Sequence, residues 1–229
     1  MLGKRLEQTL ATHPLRERLV SHAFFDRIPQ ADLSRGDVAT FLGQWWHPLH
    51  YFPTFLSRLI SVAPRVEVRT AISSILHQEL GEGDPARAHE VIYVRTMTPL
   101  GFSQAEVSGA APLPSTARLV AAYAEASSEA LTGLGFLYGT EVADLAMVSG
   151  IGTAVRRVTG ATKLAWVDIH VKQEPEHVAR ANDTLGLDLN ENDESRLLQG
   201  AELMWRHWIA FFDELEQRMF SGVAATASS

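Results

Sequence analysis

The chain has 229 residues, 46% hydrophobic and 21% charged, enough to bury a large core and most naturally one domain over 1–222, with 223–229 a small, polar, frayed tail. Its formal net charge of −7 leaves no basic excess to neutralise phosphates, which excludes a general nucleic-acid binder. Cysteine is absent, so disulfides, thiol catalysis and thiolate metal sites are excluded, and any metal must be held by nitrogen and oxygen, for which nine histidines are available.

The amino terminus turns polar at once and offers no signal-peptide core. No run approaches the roughly eighteen apolar residues of a membrane span, so no membrane partner and a cytoplasmic location are expected. From Leu2 to Arg27 apolar residues recur at helical spacing (Leu6, Leu10, Leu15, Leu19), interrupted at His13-Pro14, which predicts two short helices. Pro29 ends the second, and Ser34 or Asp37 caps the next. Val38 to Val62 is a long amphipathic helix dense in aromatics, with kinks expected at Pro48 and Pro53. His47 and His50 sit between those prolines.

Pro64 to Leu80 predicts another helix, ended by Gly81-Glu-Gly-Asp-Pro85, after which Asp84 caps a helix through Met97. Glu79 closes one helix and His89 stands on the next. Pro99 to Pro114 reads as a connector with a short helix around Gln104 to Val107. Ser115 opens a helix through about Leu131, and a long apolar one runs from Gly133 to Val158. Glu141 lies midway along it among apolar neighbours, where a carboxylate is costly to bury without a partner. Asp144 is a near neighbour and its counterpart. Lys163 to Asn182 and Asp193 to Phe220 complete an all-α chain, since no segment sustains period-two alternation.

One stretch carries chemistry. In Asp168-Ile-His-Val-Lys-Gln-Glu-Pro-Glu-His177, a turn of about 100° per residue brings His170, Glu174 and His177 to nearly one azimuth. Two imidazoles and a carboxylate on one face suit a metal. Taken with Glu79, His89 and Glu141, they form a carboxylate-imidazole set that fits iron or manganese, with room for a bridging carboxylate between two ions in a bundle.

This order of residues resembles the haem-oxygenase-like di-iron oxidases, which share a helical bundle of about seven core helices with haem oxygenase, thiaminase-like hydrolases and pyrroloquinoline-quinone synthase. The pattern is Glu, nine residues, His; a lone Glu on a later helix; then His-x3-Asp-x2-His. Glu79 and His89, Glu141, and His170 with His177 match it across about half the chain. Glu174 stands where the family usually has Asp, and Pro175 follows it directly. Some members use an additional Glu on an earlier helix; this chain offers His47 and His50 there, of which His50 is favoured. Glu82 competes with Glu79, but its Gly-Glu-Gly-Asp-Pro setting reads as a loop.

The resemblance implies two iron ions, dioxygen as co-substrate and an external electron donor. Glu141 would bridge or chelate, and Asp168 would accept a ligand N–H. The implied reaction is oxidation of an amino-acid-like or amine metabolite in a biosynthetic pathway, by N-oxygenation or oxidative carbon-carbon cleavage. Trp45, Trp46, Phe52, Tyr138 and Trp166 are candidates for the pocket wall. Arg156, Arg157, Lys163 and Lys172 are candidates for a substrate carboxylate. Bundles of this kind commonly pair through an exposed apolar helix, which leaves room for a homodimer. The competing readings are a metal-free enzyme of the same fold and a non-catalytic helical binding protein; a ferrous titration followed by oxygen separates them.

Overall fold

The computed structural model describes residues 2–172 and 189–220. Its order is α1 (Leu2–Ala11), α2 (Pro14–Val20), α3 (Ala23–Arg27), α4 (Arg35–Val62), α5 (Val66–Glu79), a 3-10 turn at Pro85–Arg87, α6 (His89–Met97), a second 3-10 turn at Thr98–Leu100, α7 (Gln104–Ser108), α8 (Pro114–Ala126), α9 (Ala130–Thr159), α10 (helical over 165–172) and α11 (Glu191–Phe220). Among the described residues there is no strand, as the absence of period-two alternation requires.

Helix ends follow local chemistry. Ser34 and Asp37 act together rather than as alternatives, in a capping box that starts α4. Pro48 and Pro53 do not break α4, which is helical through both. Asp84 caps the 3-10 turn rather than a long helix, so α6 begins only at His89. Glu129 accepts from the backbone N–H groups of Leu131 and Thr132 and starts α9 earlier than Gly133.

The architecture is built on α9 and α11, which make the most extensive helix pair. By length and composition α9 is apolar enough to cross a bilayer, but 72% of that apolar window is buried inside the protein. The backbones of α9 and α11 touch: a Cβ at Gly135 would collide with the Leu197 carbonyl, and one at Gly200 with the Thr132 carbonyl. Trp205 Nε1 donates to the Gly139 carbonyl at 3.0 Å, tying the same two helices together. A contiguous set of buried apolar side chains runs from Leu6 to Phe220, each large one contributing about 1.5–3 kcal/mol.

Two histidines latch the N-terminal helices onto α11. His13 and His22 each accept a backbone N–H through Nδ1, from Leu15 at 3.2 Å and Phe24 at 3.1 Å, capping α2 and α3. Nε2 therefore carries the proton, and it donates to Glu202 and Asp213 at 3.1 Å each. Gln44 of α4 grips the connector before α8, donating to the Ala111 carbonyl and accepting from Leu113 N–H and the Thr116 hydroxyl.

Candidate metal centre

Glu79 ends α5 because the chain turns sharply after it. Gly81, Glu82 and Gly83 take φ of +84°, +56° and +91°, conformations that glycine adopts freely and Glu82 only with strain. A Cβ at Gly81 would also strike the backbone of Asp84, Arg87 and Ala88. This reversal brings the last residue of α5 to the first of α6, so that Glu79 Oε2 lies 3.0 Å from His89 Nδ1.

The third member comes from α10. Trp166 N–H donates to Thr96 Oγ1 of α6 at 3.1 Å, fixing the start of α10 beside it. One turn later His170 Nδ1 donates to the Trp166 carbonyl at 2.8 Å, which leaves Nε2 as the nitrogen with the lone pair. The His89 and His170 ring centroids are 4.8 Å apart. Glu79, His89 and His170 each offer one ligand atom, all within 4.8 Å of one another. Two ligands of one first-row ion lie at most about 4.4 Å apart, given bonds of about 2.0–2.2 Å. The cluster is within a few tenths of an ångström of that geometry.

Burial gives this cluster its meaning. Glu79 is 5% exposed, His89 2%, His170 7% and Glu141 3%. Glu141 shares an aromatic cavity of about 50 Å³ with Glu79, His170 and Asp144, and no Lys or Arg stands among its described lining residues. Buried carboxylates beside imidazole nitrogens suit a cation. The donor set, oxygen and imidazole nitrogen without thiolate, fits iron.

Trp45, Phe52 and Trp166 line the cavity as expected; Trp46 and Tyr138 do not. A directed hydrogen-bond chain closes one side. Thr140 donates to the Phe136 carbonyl, Tyr123 to Thr140 at 2.8 Å, and Trp208 Nε1 to Tyr123 at 3.2 Å. Its hydroxyl protons are all committed, so it shapes the wall. Burial raises the Tyr123 phenol well above its ordinary pKa. The indole N–H groups of Trp45 and Trp166 are buried with no acceptor among the described residues, a cost of about 1–3 kcal/mol each that a bound oxygen atom in reach would relieve.

Three expectations need correction. His50 is not in the cluster: its side chain is 61% exposed, stacked on Trp46 and bonded through Nδ1 to Glu90 at 2.6 Å. It lies on the outward side of α4, whereas Trp45 and Leu49 face the cavity. Asp168 does not orient a ligand; it is 55% exposed and 3.9 Å from Arg156, and the Trp166 carbonyl takes that role. Arg157 is spent on the Pro29 and Ala31 carbonyls. Glu82 is a loop residue paired with Arg87 at 2.6 Å. Glu174 and His177 lie outside the described residues. A second group, His22, Asp213 and Glu216, has metal-like spacing, but Asp213 receives the His22 proton and Glu216 pairs with Arg27 at 2.9 Å.

Solved structures share this architecture. A CADD-like protein of unknown function from Nostoc punctiforme superposes with TM-score 0.79 at 17% identity, covering 94% of this chain and 96% of that one. A domain of unknown function with a heme oxygenase-like fold from Shewanella denitrificans gives 0.77 at 17%, covering 98% and 96%. A TenA homologue from Pseudomonas syringae gives 0.75 at 15%, covering 93% of each. At these identities the likeness establishes the haem-oxygenase-like fold. No protein of curated function matches the sequence. A family model described as an iron-containing redox enzyme matches residues 39–209.

Proposed function

Because the chain belongs to the family of iron-containing redox enzymes, we propose that Glu79, His89, Glu141 and His170 form part of a two-iron centre that uses dioxygen to oxidise an amine or amino-acid-like substrate. The observation that carries this reading is the convergence of three buried ligand atoms from α5, α6 and α10 to within 4.8 Å. Glu141 on the same cavity supplies a further carboxylate, and Glu174 and His177 are the candidates for the remaining positions.

Iron, when bound, supplies the electrons that let dioxygen react. The protein's own residues set the conditions. The Trp166 carbonyl holds His170 in the tautomer that presents Nε2. Glu79 and Glu141 provide the negative charge that offsets the cations. The aromatic wall keeps bulk water away from the oxidant. An external donor returns the electrons.

Anaerobic titration of the full chain with ferrous iron, followed by an oxygen pulse, tests the reading. Uptake of about two irons per chain and a transient visible absorption are expected. A chain that takes up no iron and keeps its activity in chelator belongs with metal-free enzymes of this fold instead.

A further inference from the structure

The ligand cluster borders two spaces of very different size. The aromatic cavity measures about 50 Å³, room for dioxygen or a few waters but not for a metabolite. His89 lines a separate vestibule of about 330 Å³, within the range that small-molecule sites occupy.

The vestibule's chemistry is polar and asymmetric. Gln78 is 9% exposed, and its amide oxygen is buried with no hydrogen-bond partner among the described residues. The last torsion of a glutamine is soft, so a small turn presents that oxygen to a donor in the vestibule. Arg87 is already neutralised by Glu82 at 2.6 Å. Lys172 is different: it is exposed and in no ion pair among the described residues. Ile92 and Ile169 supply apolar surface between these polar groups.

We infer that this vestibule binds the head group of a free α-amino acid, its ammonium on the Gln78 amide oxygen and its carboxylate on Lys172. The inference rests on the oxidase reading above and sharpens its substrate class. A fatty acid satisfies Lys172 but leaves Gln78 unmatched; a simple amine does the reverse. Gln78 and His89 line the same vestibule, so a head group held there lies beside a member of the ligand cluster.

Isothermal titration of the full chain, with and without anaerobic ferrous iron, tests this with each proteinogenic amino acid. Each is compared with the amine lacking its carboxylate and with the acid lacking its amino group. At least one amino acid is expected to bind more tightly than both analogues. Lys172→Ala should abolish its preference over the amine, and Gln78→Leu its preference over the acid. Gln78→Glu, which keeps an acceptor, should retain the latter, and matching circular dichroism melts show that each variant is folded. Binding of no amino acid in either state, or survival of both preferences in the variants, overturns the inference. Iron uptake is read on the same preparations. Normal uptake without amino-acid binding removes only this inference, whereas amino-acid binding without iron uptake removes the oxidase reading.

Discussion

Replacing Glu79 by Gln preserves shape and removes one anionic ligand from the cluster. The ligand atoms already lie within 4.8 Å, so iron binding requires little rearrangement and its free energy appears almost fully as stability of the folded chain. With free ferrous iron at about one hundred times its Kd, linkage contributes about 2.7 kcal/mol. At about 2–4 °C per kcal/mol for a chain of this size, the wild type gains about 5–11 °C in Tm. A hundredfold loss of affinity in Glu79→Gln leaves about 0.4 kcal/mol, a gain of about 1–2 °C at the same iron concentration. Without iron the variant is expected to be at least as stable as the wild type, since a neutral amide replaces a buried carboxylate and still meets His89 Nδ1, now 3.0 Å from Oε2. The assay is an anaerobic circular dichroism melt with ferrous iron, using magnesium as the control cation. An iron-induced shift of equal size in both proteins refutes the assignment of Glu79.

Other substitutions probe the surroundings. His50→Ala should leave iron stoichiometry unchanged and alter stability by no more than about 0.5 kcal/mol, as measured by metal analysis and urea titration; loss of iron would return His50 to the ligand set. Tyr123→Phe leaves the buried Trp208 N–H, now 3.2 Å from the phenol, without its acceptor and should cost about 1–3 kcal/mol in urea unfolding. Gly135→Ala forces a methyl group onto the Leu197 carbonyl and should cost about 1–3 kcal/mol or more, with a wild-type melt counting against the close helix contact. Arg35 and, after it, Ser103 hold the Glu106 carboxyl at about 2, below its ordinary 4.5. A depressed carboxyl stabilises the fold above about pH 4.5 and loses that contribution as pH falls through about 2. In Arg35→Gln the folded pKa should rise toward 4.5, so the contribution is smaller and its loss is complete at higher pH, a shift that nuclear magnetic resonance titration of Glu106 reads directly.

The candidate ligands were legible where chemistry and helical period agree. Glu141 stood out as a carboxylate on an apolar helix, and His170 as part of a one-faced triplet. Glu79 and His89 fall on different helices, and no period relates them; residue type made them candidates and the resemblance supplied their spacing, while the left-handed turn after α5 is the physical means that brings them together. His50 was misplaced because two histidines three residues apart on α4 cannot be assigned a face until the aromatic packing is known: Trp45 turns inward, and Trp46 turns out to stack on His50. Asp168 points to solvent for a related reason, since the Trp166 carbonyl one helical turn back already accepts the His170 Nδ1–H at 2.8 Å. The Tyr123–Thr140–Trp208 chain left no sequence signal, because its members come from three helices and meet only through tertiary packing. Gln78 was hidden too, as an uncharged residue beside a charged one.

The seam where α9 meets α11 has a mechanical consequence. Helices that interlock through side chains can slip by one notch and settle again; backbones in direct contact at Gly135 and Gly200 have no teeth to re-engage. Glu141 rides on that seam. Adjustment to an arriving ion therefore falls to Glu79, His89 and His170, carried by three shorter elements outside it.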